Sequence, residues 1–188
     1  RHKQFCYEGG LHVPFIVVAP EAYAQAGKGV RRKDLISALD ISATSLALAG
    51  IEIPTYFDGV NLFAKDFKAR DHVISARDRC DYTIDYIRTV RTEKYRYIRN
   101  YMPHLPSGQY IGYMFATPTT RVWRQMFVDG KLNQAQSHFW TSKPTEELYD
   151  LSTDRDEVSN LAGVAQHAQT LARMRTALDK WEHQIRDT

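Results

Sequence analysis

Lys3, Arg77, Asp78, Arg79, His104, Cys6 and Cys80 are the residues whose types and neighbours admit chemistry. A lysine ammonium held in a dry pocket stabilises charge gathering on the oxygens of a group in transfer. A lysine without that setting is an ordinary solvated residue. Arg77-Asp78-Arg79 follows a predicted strand, where substrate-facing loops often sit. Arginine suits two-pronged contact with a carboxylate or another oxyanion. A surface ion-pair network among Arg77, Asp78, Arg79 and Asp81 accounts for the same residues equally well. His104 stands between Pro103 and Pro106 and can hydrogen-bond a sugar, though a loop histidine without a role is the plainer reading.

Other chemistries find less support. His2, His12, His72, His104, His138, His167 and His183 include no His-x-His and no i,i+4 pair, which argues against zinc. Calcium needs about six to eight oxygen ligands, and no Asp-Asp or Asp-His-Gly cluster occurs. Cys6 and Cys80 read as two free thiols, although they could pair, and they reveal no redox compartment. Residues 84–101 interleave Arg88, Arg91, Lys94, Arg96 and Arg99 with Tyr86, Tyr95, Tyr97 and Tyr101, as a single-stranded nucleic-acid platform does. In a half-buried hairpin the rings pack and the cationic heads stay in water. The net charge of +3 over 188 residues also argues against a nucleic-acid partner and against membrane binding. No apolar run approaches the ~20 residues of a membrane span. Residues 1–6 have neither an initiator Met nor the apolar stretch of a signal peptide. The chain therefore reads as starting inside a longer protein.

The elements that must position these residues follow from periodicity. The continuous apolar run at residues 13–19 predicts a buried, parallel strand. Residues 34–49 have helical spacing and end at Gly50, the position of a left-handed C-terminal glycine. The chain divides near residues 64–70, giving segments 1–66 and 67–188. Residues 72–76 read as a strand. Residues 84–91 and 94–101 form a hairpin about Thr92-Glu93. Residues 101–117 read as loop, 119–128 as a helix stopped near Gly130, 132–139 as a further short helix, and 147–151 as a strand. Val164, Ala168, Leu171, Met174, Leu178, Trp181 and Ile185 mark one long amphipathic helix. The expected architecture is the end of an α/β sheet followed by an α+β subdomain, with about four antiparallel strands packed by a long C-terminal helix.

The order of several motifs resembles the C-terminal portion of the sulfatase family, in the alkaline-phosphatase-like superfamily. Lys3 precedes Tyr7-Glu8-Gly9-Gly10 and then Val13-Pro14. Asp40-Ile41-Ser42-Ala43-Thr44, Ala49-Gly50-Ile51, Pro54 and Gly59-Val60-Asn61-Leu62 follow. Glu147-Leu148-Tyr149-Asp150-Leu151, Asp154, Glu157 and Asn160-Leu161-Ala162 complete the series. Ala76-Arg77-Asp78-Arg79 and Tyr97-Ile98-Arg99-Asn100-Tyr101 are most similar to bacterial sulfatases that resemble heparan N-sulfatase. The family usually has proline where Ala43 and Arg155 stand.

The resemblance implies hydrolysis of a sulfate ester or N-sulfate, on a sulfated sugar or an aryl sulfate. It implies that Lys3 contacts a sulfate oxygen, that Glu8 braces the bend and that Gly9-Gly10 permits a tight turn. It also implies a calcium ion and a formylglycine nucleophile. Cys6 and Cys80 lack the residues that flank that nucleophile, so both it and the calcium ligands are expected in a missing N-terminal partner segment. The chain alone is then expected to be inactive, and the whole protein periplasmic or secreted. Two other readings remain: a non-catalytic module binding an anionic glycan or a partner, and a phosphoryl-transfer relative of the same superfamily.

Overall fold

The computed structural model describes residues 3–18 and 29–187. It divides into two compact units, residues 14–73 and residues 1–13 with 74–188. These are not the segments 1–66 and 67–188 read from the sequence. Phe5, Cys6 and Tyr7 are buried in one core with Ile87, Ile98 and Tyr149, so apolar burial assigns the opening residues to the C-terminal unit.

In that unit, β1 (Val73–Cys80), β2 (Thr83–Arg91), β3 (Tyr95–Asn100) and β4 (Glu146–Asp150) form one sheet in the order β1-β2-β3-β4. β2 pairs antiparallel with β3 across a short turn, and β3 pairs antiparallel with β4 although the long 101–145 segment with its helices lies between them. Val90 faces Tyr97, and Tyr97 faces Leu148. The strand period of two carries these three residues to one face. There they pack with Leu171, Met174 and Leu178 of α6 (Ala168–Ile185). A single 3₁₀ turn, Ala165–His167, precedes α6. The opposite face carries Ile87, Ile98 and Tyr149. It is covered by Phe5, Cys6, Tyr7, Phe139 and Trp140.

The 92–94 turn closes the predicted hairpin, with Thr92 N–H donating to the Tyr95 carbonyl at 2.9 Å. Proline at the first turn starts α4 (Pro118–Val128), and Gly130 at φ +67° ends it. The predicted loop 101–117 contains a short helix, α3 (Gly112–Ala116), and the predicted 132–139 helix shrinks to α5 (Gln134–Ser137), closed by an Asn133–Gln136 capping box. Lys143 is 3% exposed and donates to Asp85 at 2.9 and 3.0 Å and to the Leu105 carbonyl at 2.7 Å. That buried ion pair holds the 101–107 loop against β2.

In the 14–73 unit, α2 (Leu39–Leu48) is the one regular element among the described residues. Gly50 follows it at φ +71°. The predicted strand at 13–19 is not formed. Residues 13–18 have no regular structure and are exposed, Val18 by 92%. Ala19, Pro20 and residues 21–28 lie outside the described residues. An apolar run becomes a strand only beside a partner that takes its N–H and C=O groups, and no described strand runs beside this one. Asp40 is fully buried. Its carboxylate accepts from Arg70 at 2.5 and 2.6 Å, from Ser37 N–H at 2.8 Å and from Val60 N–H at 2.9 Å. Burial raises its pKa, but these donors outweigh burial and hold it below the usual range. Thr44 Oγ1 accepts from Leu62 N–H at 3.0 Å. The 40–44 and 59–62 motifs are thus two halves of one clamp.

Candidate functional site

Of the residues singled out for chemistry, Arg77, Asp78, Arg79 and Cys80 come together at one cavity. Gln4, Ala76, Arg77, Asp78, Arg79 and Cys80 line a cavity of about 390 Å³ along β1. Lys3 is exposed beside Gln4. Lys3 is not among the residues that line this cavity. His104 is exposed on its loop and does not line the cavity. Gln4 sits at φ +73°, a left-handed conformation that costs a non-glycine residue about 1 kcal/mol.

Arg77 is 6% exposed, and its guanidinium stacks over the Phe5 ring at 4.7 Å. Nη1 donates to the Gln4 carbonyl at 3.3 Å. Nε and Nη2 are buried and have no hydrogen-bond partner among the described residues, nor has Gln4 Oε1. The surface network imagined for this stretch does not form. Asp78 pairs with Arg88 at 2.7 Å, and Arg79 Nε donates to the Asp81 carbonyl at 2.5 Å. Arg88 itself is 4% exposed and also pairs with Asp187 at 2.5 Å. Arg96 is 2% exposed. The expectation that hairpin arginines keep their heads in water fails for both, because carboxylates from other elements meet them.

Glu8 is the other organising residue. It starts α1 (Glu8–Leu11), so Gly9-Gly10 forms part of a helical turn instead of a tight bend. Glu8 pairs with Arg91 at 3.1 Å and with Arg96. Arg96 meets Glu157 at 2.9 Å, and Glu157 Oε2 accepts the Glu8 backbone N–H at 2.7 Å. Burial raises the Glu8 pKa, but Arg91 and Arg96 prevail and hold it at about 2. Its bracing role is therefore to tie the opening segment to the sheet. Glu147, 1% exposed, accepts from Tyr7 at 2.9 Å, Asn100 at 2.7 Å and Tyr149 at 2.5 Å. Sequence reasoning missed Glu147 and Arg96 as partners of residues 7 and 8, because no local spacing links positions so far apart. Tyr7, Glu8, Gly9, His12, Arg155, Asp156 and Glu157 border a second cavity of about 350 Å³.

No protein-family model matches the chain. It is 33% identical over 191 aligned residues to an ulvan-active sulfatase of Formosa agariphila, covering 100% of this chain and 31% of that protein. The chain is homologous to sulfatases. A second ulvan-active sulfatase of the same organism is 29% identical over 160 residues, covering 81% of this chain and 29% of the relative. The chain thus spans less than a third of the length of these relatives. The solved structure of a 2-O GAG sulfatase superposes with a TM-score of 0.51 over 79% of this chain and 25% of its own, at 23% identity, and shares the fold.

The motifs of this sulfatase homologue are joints of the fold. Asn160 acts as a substitute strand partner. Its Oδ1 accepts from Leu148 N–H at 2.9 Å, and its Nδ2 donates to the Glu146 carbonyl at 2.9 Å. Both cysteines are free thiols. Burial pushes the Cys6 thiol up to about 11, against the pull of Arg96 and Arg77, which leaves it a poor nucleophile. Among the described residues no group of three or more His, Cys, Asp or Glu side chains is placed to hold a metal ion. No described helix is long and apolar enough to cross a membrane.

Proposed function

We propose that this chain is the C-terminal part of a sulfatase that hydrolyses sulfate esters, or an N-sulfate, on a sulfated glycan. The alignment of the whole chain with an ulvan-active sulfatase at 33% identity carries this reading. In it, the Lys3 ammonium meets a sulfate oxygen and stabilises the charge that builds as the S–O bond breaks. Arg77, Asp78 and Arg79 line the sugar side, and His104 makes a further sugar contact. The formylglycine nucleophile and the calcium ligands belong to polypeptide outside this chain, and the assembled enzyme is periplasmic or secreted. The likeness of residues 76–79 and 97–101 to heparan N-sulfatase favours N-sulfate, with a sulfate ester as the alternative linkage.

The test is sulfate release by the sulfatase containing this chain, from O-sulfated and N-sulfated oligosaccharides in parallel. Lys3→Ala is expected to lower kcat by about 100-fold or more, the usual effect of removing a group that faces transition-state charge. An unchanged kcat would remove Lys3 from the mechanism. The 188-residue chain alone, given an aryl sulfate and calcium, is expected to show no turnover. Robust turnover would refute the claim that essential parts lie elsewhere. The cluster of described residues about Arg77 also favours the reading of an anionic-glycan-binding module. Heparin retention at moderate salt without hydrolysis, by the chain and by the complete protein, would establish that reading instead.

A further inference from the structure

We propose that the free edge of the Arg77 guanidinium is an oxyanion-binding subsite, taking a carboxylate or sulfate group that has a hydroxyl beside it. The site deepens the reading above, and rests on it only for the anion being carried by a sugar.

Three observations converge. First, Nε and Nη2 of a guanidinium share one edge and point their N–H bonds in parallel, the fork that matches two oxygens of one oxyanion. In Arg77 these are the two nitrogens that are buried without a partner among the described residues, and the residue is 6% exposed. A buried cation with unmet donors is costly, so such groups are held for a ligand or a partner. Second, the fork is immobilised. Phe5 covers one face of the guanidinium at 4.7 Å and is itself braced edge-on by Phe139 at 5.3 Å. Nη1 is tied to the Gln4 carbonyl. An anion therefore meets donors already in place, and little side-chain freedom is lost on binding.

Third, the surroundings suit an anion with a hydroxyl. The cavity of about 390 Å³ is lined by Arg77, Arg79 and Asp78. The Asp78 carboxylate is engaged by Arg88, which offsets its repulsion. Gln4 Oε1, also buried without a partner among the described residues, is an acceptor for an O–H. Sulfated sugars and uronates supply this combination of oxyanion and adjacent hydroxyl.

The experiment is an NMR titration of the ¹⁵N-labelled 188-residue chain, following the Arg77 Nε–Hε resonance assigned through bonds. Sodium sulfate and sodium glucuronate are added, with sodium chloride as the ionic control. A saturable shift with sulfate, glucuronate or both is expected, and the stronger ligand identifies the group the site takes. Arg77→Lys keeps the charge and loses the fork, and should weaken binding about tenfold, read from backbone amides of β1. The wild-type resonance decides the matter even if that variant does not fold. Lys3→Ala should leave the titration unchanged while lowering turnover in the sulfatase about 100-fold, so failure of the catalytic reading and failure of this site are separate results. No saturable shift with either anion, or an equal response to chloride, would overturn the proposal.

Discussion

Gly59 shows how one atom decides a contact. A Cβ built there would lie 2.2 Å from the Leu39 carbonyl oxygen, well inside van der Waals contact. Backbone cannot withdraw as a flexible side chain does, so Gly59→Ala must part the 59–62 loop from α2. That would break the Val60 N–H bond to Asp40 and leave a buried carboxylate short of a donor. A loss of about 2–3 kcal/mol is expected. Hydrogen exchange should report it as lost protection confined to residues 37–62, and retained protection there would show that the loop has another way to close. Leu178, with no exposure, is the corresponding residue of the other unit. Leu178→Ala removes buried methyls between α6 and the sheet, and should cost about 2–5 kcal/mol in a denaturant titration. A smaller loss would mean that the face collapses around the vacancy.

At the scale of elements, the opening segment is held to the sheet by charge as much as by Phe5 and Tyr7. The Glu8 pKa falls from an ordinary 4.5 to about 2 in the folded chain. Stabilisation from a depressed carboxylate is full above the unfolded value, fades below pH 4.5, and is gone once the pH has dropped through about 2. The segment should therefore come away from the sheet in that window and expose Cys6, which lies between Phe5 and Tyr7. In a Cys80→Ser background, a thiol reagent active in acid should find Cys6 protected at neutral pH and increasingly reactive as the pH falls from 4.5. Glu8→Gln should make Cys6 accessible across the whole range, at a cost of about 3 kcal/mol for stranding Arg91 and Arg96. Equal protection of Cys6 in both proteins at every pH would show that apolar packing alone holds the segment. The two long-range anchors, Glu8 and Glu147, also explain why residues 5–8 pack with strands more than 60 positions away.

For the whole molecule, local pattern and long-range contact divide the work. The 84–101 hairpin, the α6 stripe from Leu171 to Leu178, and the glycine stops at Gly50 and Gly130 were legible in the sequence, since spacing and backbone freedom determine them within a few residues. So were the ordered motifs that resemble sulfatases. Tertiary structure alone decided that Arg77, Arg88 and Arg96 are buried, because burial of a cation depends on which distant ring or carboxylate meets it. It decided likewise that residues 13–18 form no strand, since a β ladder is a property of two segments, and that Glu8 serves as a tie across the sheet. A sequence specifies which groups carry charge and which strips are apolar. Which of those groups end up facing one another in a low-dielectric interior is settled only when the chain closes on itself.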